Sequence, residues 1–303
     1  MSSRRFRWAP TPSGPLHLGN LFSILLTWLE ARESGGEILL RIDDLDSTRA
    51  RPEFVKEIFS VLNALELDWD LGPRSFEEFE REYSQILSQS FYAAAFEEAL
   101  RVAADLFFAC DCSRSDLPVG QPYPGRCRLR GLPFYQDGSV AWRVMSELIP
   151  GAPAVLGDVV LYRKEKIFAY HWVSIQEDLR WGITDIHRGQ DLRTSTELQS
   201  AFCQELARRG QEKYAQFERI RVVHHPLIFD GQKKLSKSAG ATAVKNLLSD
   251  RQKIFKAFLC WLGWPHTQAP SSSTGLLELW LHERREGRKI RFTDNLQFSE
   301  LVN

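Results

Sequence analysis

Three stretches of the chain carry residue types whose spacing suits a definite chemistry. The first is Arg7-Trp8-Ala9-Pro10-Thr11-Pro12-Ser13-Gly14-Pro15-Leu16-His17-Leu18-Gly19-Asn20, where an apolar run turns through three prolines and a glycine into an apolar-periodic segment. A strand feeding a helix through such a turn makes a phosphate site, because the amides at that helix end lack partners and the dipole there favours anions. His17 would add a polar or cationic contact, and Gly19 would let a nucleotide approach the backbone closely. The second stretch, Lys233-Lys234-Leu235-Ser236-Lys237-Ser238, gathers three ammonium groups and two hydroxyls. Paired with the first, it makes a clamp for a triphosphate whose leaving pyrophosphate accumulates charge. The third is Cys110-Asp111-Cys112 followed by Tyr123-Pro124-Gly125-Arg126-Cys127. Its three thiolates can converge on a tetrahedral zinc of the three-cysteine-plus-one type, and no further cysteine offers itself as the fourth ligand. Each stretch also has a plainer reading: a punctuated loop with a surface histidine, a solvated charge run, three buried free cysteines.

The elements that must position these residues follow from periodicity. Leu21, Ile24, Leu25, Trp28 and Leu29 recur at helical spacing from Leu18 to about Arg32, and Ser34-Gly35-Gly36 ends the run. Residues 37–42 then read as a strand that delivers Asp43, Asp44 and Asp46 to its C-terminal end, where ligands gather in open parallel sheets. A solvated acidic turn or a helix cap is the simpler account of those carboxylates. Helices are expected over 52–65 and 76–106, strands over 139–145 and 158–162, and a helix after Ile167-Phe168-Ala169-Tyr170-His171-Trp172. A strand over 183–191 empties into a polar loop, a helix covers 196–209, and a strand covers 221–229 before Asp230-Gly231 turns the chain. Helical patterns return at 245–248, 254–262 and 275–285. Adjacent His224 and His225 on a strand point to opposite faces, which favours a structural or ATP-proximal role over a shared metal.

At 303 residues and 43% hydrophobic content, the chain can bury a core of one large or two ordinary domains. No apolar run reaches membrane-spanning length, and Met1-Ser2-Ser3-Arg4-Arg5 does not open a signal peptide, so a cytoplasmic protein with no membrane partner is expected. Thirty-nine basic residues balance thirty-nine acidic ones, which leaves any RNA contact to local patches. The best of these is Arg284-Arg285-Glu286-Gly287-Arg288-Lys289-Ile290-Arg291, unless it is a solvated helix end. Five cysteines at uneven spacing suit a reduced compartment and a metal site better than a disulfide framework.

The His17 stretch and the Lys234-Leu235-Ser236-Lys237-Ser238 loop together resemble the paired signatures of class I aminoacyl-tRNA synthetases. With the cysteine cluster they resemble, over Arg7 to Ser238, the short glutamyl-tRNA synthetase paralogues called glutamyl-queuosine tRNA(Asp) synthetases. The resemblance implies an α/β fold: a Rossmann-like catalytic domain in two halves, residues 1–105 and 166–240, with a zinc-bearing insertion at 106–165. Residues 241–303 would be a short helical region, with no anticodon-binding domain. It also implies zinc held structurally by Cys110, Cys112, Tyr123 and Cys127, with ATP and magnesium as substrate. His17, Lys234 and Lys237 would be catalytic, with His17, Gly19, Asn20 and Lys237 holding ATP. Arg7, Ala9, Thr11, Asp43, Tyr170 and Arg188 would hold the amino acid. An arginine suits that task, since its planar fork grips a carboxylate with two hydrogen bonds. Three positions depart from the family pattern: Asp43 stands where a glutamate is usual, His171 where an asparagine is usual, and Asn20 replaces the last residue of the first signature. The implied reaction is activation of glutamate by ATP and its transfer to queuosine in tRNA(Asp), by a monomer. Two other classes fit the same residues: a non-catalytic zinc-bearing RNA-binding module, and an enzyme that activates another amino acid or passes it to a tRNA 3′ end, a protein or a small molecule. Retention of Lys234 and Lys237 argues against the first of these.

Overall fold

The computed structural model describes residues 3–44, 50–83, 88–117, 120–134, 137–230, 233–234, 250–264, 268–293 and 296–297. Along the chain, β1 (Arg5–Trp8), α1 (Leu18–Ser34), β2 (Glu37–Leu40) and α2 (Pro52–Ala64) fall where periodicity puts them. Pro52 opens α2 at the position where its missing amide costs nothing. The single helix expected over 76–106 is instead a short α3 (Phe76–Glu78), a π turn over Phe79–Tyr83 and α4 (Ser88–Ala103). A wide turn shifts the helical phase without removing apolar residues, so composition does not announce it. Next come β3 (Phe107–Cys110), β4 (Ala141–Val144), β5 (Val159–Tyr162), α5 (Tyr170–Arg180), β6 (Asp185–Gly189) and α6 (Arg193–Arg208). The chain continues with β7 (Arg221–His225), β8 (Phe229–Asp230), β9 (Lys233–Lys234), α7 (Arg251–Trp261) and α8 (Ser273–Arg285). The strand expected over 221–229 breaks after His225, where Pro226 has no amide to give a sheet ladder. The helical pattern at 245–248 lies outside the described residues.

Two compact units emerge. The first comprises residues 1–85, 184–191 and 222–303, and the second 86–183 and 192–221. The four segments expected from the sequence cut the chain elsewhere: α5 and α6 share the unit of the cysteine-bearing strands, and the C-terminal helices share that of the first strand.

The first unit is built on a sheet of order β2-β1-β6-β7. β1 lies parallel to both β2 and β6, with Phe6 opposite Ile38 and Asp185. An Arg4 ion pair to buried Asp185 joins the first and third of these strands. α1 covers the face carrying Phe6, Trp8 and His187: the Trp8 indole donates to the Ile24 carbonyl at 3.2 Å, and Thr27 Oγ1 lies 3.2 Å from His187 Nδ1. The opposite side of α1 is buried too, because the Phe22 ring packs against Phe258 and Trp261 at 5.6 and 5.3 Å. The C-terminal helices therefore complete the core around α1. Its left-handed cap residue, Gly35 at φ 64°, ends the helix where a side chain would be strained.

His225 closes β7 beneath this core. Its ring meets Trp261 edge-on at 5.2 Å and its Nδ1–H donates to the Pro226 carbonyl at 3.1 Å. Burial holds its pKa down at about 4. The unfolded chain, with an ordinary histidine, takes up a proton first as pH falls, so stability present above pH ~6.5 drains away between there and about 4. The expected loss approaches ~3 kcal/mol from this group alone. Urea denaturation of wild type and His225→Leu at pH 7 and pH 4.5 reads it as a steeper acid loss in the wild type. Parallel losses in both proteins would contradict it.

The second unit holds the antiparallel sheet β3-β4-β5. Phe108 stands opposite Arg143, and Cys110 opposite Ala141. Among the described residues, no helix is long and apolar enough to cross a membrane.

Candidate active site and metal centre

The loop after β1 is pinned by backbone bonds to the chain leaving β2. Asp43 N–H donates to the Pro10 carbonyl at 3.1 Å and Arg51 N–H to that of Pro12 at 3.0 Å. It carries half-buried Ala9 and exposed Thr11 to the start of α1. There His17 is the N-cap. Its Nδ1 accepts from Asn20 N–H at 3.3 Å, and Asn20 Oδ1 accepts from His17 N–H at 3.1 Å, a reciprocal capping box. Because Nδ1 is an acceptor here, the neutral ring carries its proton on Nε2. A Cβ on residue 19 would sit 3.1 Å from the His17 ring, so Gly19 makes room for the histidine itself. The Asn20 side chain is engaged in the cap. The amides of Leu18 and Gly19 remain without intrahelical acceptors, as the first turn of any helix requires.

The face of the sheet opposite α1 carries three arginines at its C-terminal end. Side chains alternate along a strand, and Phe6 stacks on His187 at 6.0 Å, so Arg7 and Arg188 share the other face. Arg41 joins them from the end of β2 by the same alternation. All three are buried, with exposures of 8%, 4% and 8% for Arg7, Arg188 and Arg41. Sequence reasoning passed over Arg41, whose signal is a charged residue inside the apolar run Ile38-Leu39-Leu40-Arg41-Ile42. It grips Asp43 through both forks, Nε to Oδ1 at 2.7 Å and Nη2 to Oδ2 at 3.2 Å. The carboxylate that the family pattern assigns to the substrate ammonium thus already shares its charge with a neighbour. Beside it, burial and the adjacent Asp43 push the Asp44 carboxyl up to about 6. Asp46 lies outside the described residues.

The lysine loop grows from the hairpin β8-β9, in which Phe229 pairs with Lys234 and Asp230 with Lys233. Phe229 N–H also donates to the Leu296 carbonyl at 3.0 Å, fixing the root of the hairpin. Lys237 and the rest of the loop lie outside the described residues. Tyr170 belongs to the second unit, where it opens α5 and is exposed.

In the second unit the three cysteine sulfurs lie within 4.8 Å of one another. Cys112 and Cys127 are 3.6 Å apart, and the Tyr123 hydroxyl is 3.4 Å from Cys110 Sγ and 3.8 Å from Cys112 Sγ. The edge of a zinc–thiolate tetrahedron is about 3.8 Å, close to the three distances just given, so the donor set could hold a zinc ion. Tyr123 reaches the cluster because Gly157 allows close passage, where a Cβ would fall 2.7 Å from Pro122. The Cys127 amide donates to its hydroxyl at 2.9 Å. Burial opposes the Cys110 thiolate, but Tyr123, the Cys112 amide and Arg143 outweigh it and hold its pKa below the ordinary value. Burial pushes the Cys112 thiol up to about 11 and raises Tyr123 as well. Arg128 locks the knuckle, pairing with buried Asp158 at 2.6 and 3.0 Å.

Residues 4–102 match the tRNA synthetases class I (E and Q), catalytic domain. A glutamyl-Q tRNA(Asp) synthetase of Parasynechococcus marenigrum is 36% identical over 286 residues, covering 90% of this chain and 88% of that protein. The chain belongs to the glutamyl-Q tRNA(Asp) synthetase family. A second relative of that name, from Chromobacterium violaceum, is 32% identical over 302 residues and 91% of each chain. The catalytic fold of this family member is that of a class I synthetase. It superposes on the glutamate-tRNA synthetase of Elizabethkingia anophelis with a TM-score of 0.67 at 19% identity, over 99% of this chain and 69% of that one. The protein is thus a ligase of the aminoacyl-tRNA synthetase type.

The basic segment 284–291 is largely engaged within the chain of this synthetase. Arg284 pairs with Glu33 at 3.1 Å, and Arg288 with Glu283 at 2.7 Å while lying over Trp264.

Proposed function

We propose that the protein activates glutamate with ATP and transfers it to queuosine in the anticodon of tRNA(Asp). The observation that carries this reading is the buried arginine face. Glutamate is a dicarboxylate, and Arg7, Arg41 and Arg188 share one buried face of the sheet, where a planar guanidinium fork suits a carboxylate. The family of the chain supports the same substrate and acceptor.

In the first step a glutamate carboxylate oxygen attacks the α-phosphorus of ATP; the bond to the β,γ-phosphate breaks and pyrophosphate leaves with the electron pair. His17 Nε2–H and the open amides at the start of α1 face a nucleotide phosphate, while Lys234 and Lys237 take the charge gathering on pyrophosphate. Magnesium accompanies ATP. In the second step a ring hydroxyl of queuosine attacks the activated carboxyl carbon, losing its proton as AMP departs. Arg7, Ala9, Thr11, Asp43 and Arg188 of the first unit serve the amino acid, and Cys110, Cys112, Tyr123 and Cys127 would hold one structural zinc that closes the small knuckle. The enzyme works as a cytoplasmic monomer.

ATP–pyrophosphate exchange tests the reading: glutamate alone, with no tRNA present, is expected to support exchange. Exchange supported by another amino acid and not by glutamate would overturn it and point to Asp43 and His171 as the altered pocket.

A further inference from the structure

Arg143 is a buried cation with no carboxylate of its own among the described residues. It sits on β4 opposite Phe108, on the sheet face that also carries Cys110, and is 8% exposed. Its Nη1 donates to the Asp158 carbonyl at 2.8 Å, while the Asp158 carboxylate is taken up by Arg128. Among the described residues no carboxylate pairs with Arg143, and its Nε is buried without an acceptor. The guanidinium instead lies 4.1 Å over the ring of Tyr123 and acts directly on Cys110.

A buried charge left uncompensated costs several kcal/mol, so such an arginine needs a counter-charge. Zinc with three thiolates and a phenolate supplies one, since the assembled centre carries about two units of negative charge. Two other arginines close to the knuckle already have acidic partners: Arg128 has Asp158 and Arg130 has Asp111.

Resting on the zinc reading of this cluster, we propose that Arg143 is the counter-charge of the metal centre, and that retention of zinc depends on its positive charge and not on its shape. The guanidinium over Tyr123 stabilises the phenolate ligand, and the zinc–thiolate centre stabilises the guanidinium in turn. Each makes the burial of the other favourable.

The test is zinc affinity of the full-length protein, measured by competition with a chromophoric chelator at pH 7.5. Wild type, Arg143→Met, Arg143→Lys and Cys127→Ser are compared, the last to set the scale for loss of a ligand. Partners of metal ligands typically contribute 10- to 100-fold in affinity, so Arg143→Met is expected to weaken zinc by about that factor, with Arg143→Lys recovering most of it. Thermal melting with and without zinc separates charge from packing. Lost packing lowers both midpoints of Arg143→Met alike, whereas a lost counter-charge shrinks the gap between them. Wild-type affinity in Arg143→Met, or equal loss in the methionine and lysine variants, overturns the proposal while leaving the metal site intact. A wild type that binds no zinc overturns the metal reading itself. If Arg143→Met does not fold, Arg143→Lys against Arg143→Gln gives the same comparison.

Discussion

Radiolabelled glutamate is expected to pass to tRNA from queuosine-containing cells and not to tRNA from queuosine-deficient cells. The contrast is close to all-or-none, because the modification supplies the nucleophile itself and not merely a contact. Its cyclopentene carries a cis-diol, and either hydroxyl can attack the acyl carbon of the adenylate as a terminal ribose hydroxyl does, so the chemistry of the arginine-lined site is unchanged. What changes is where on the RNA the ester forms. Removal of the 3′-terminal adenosine should therefore leave labelling intact, since the acceptor lies in the anticodon. Equal labelling of both tRNA pools, or loss of label on trimming the 3′ end, would return the protein to the class that charges tRNA ends.

The second large effect is expected at Lys237. Replacing it with alanine should lower glutamate-dependent pyrophosphate exchange by about 10²- to 10³-fold, the usual cost of removing one preorganised charge from a developing oxyanion. The loss should fall mainly on kcat, with the KM for glutamate little changed. A lysine that acts on leaving pyrophosphate binds the transition state more tightly than the ground state. On the function proposed, the amino acid would meet the arginine face instead. Exchange at the wild-type rate in this variant would move the pyrophosphate clamp to other residues.

The stretch that opens α1 was legible because it is local. A Pro- and Gly-bearing turn between a strand and an amphipathic run fixes the start of α1, and with it the amides of Leu18 and Gly19 that lack intrahelical acceptors, from neighbouring residues alone. The same holds for the knuckle: thiols one residue apart at the end of β3, and a tyrosine four residues before the third cysteine, imply convergence if the turn is tight. Locality misled at the long helical stretch, where the π turn over Phe79–Tyr83 changes phase while keeping a helical composition.

What the sequence by itself determined is therefore the set of groups and the order of the strands and helices that carry them. It could not say which of those groups share a face. Arg7, Arg41 and Arg188 stand far apart in the chain and become one basic surface only because β1 lies between β2 and β6 in parallel register. Arg143 lies beyond both cysteine-bearing segments with nothing local to mark it, and meets Tyr123 only when β4 pairs with β3. Asn20 matched a nucleotide contact by position, yet the first turn of α1 engages its side chain as a cap. Local structure follows from short-range sterics and periodicity, which neighbouring residues specify. Register between strands, and the charge balance of buried side chains, depend on pairings made across the whole chain, and only the tertiary structure decided those.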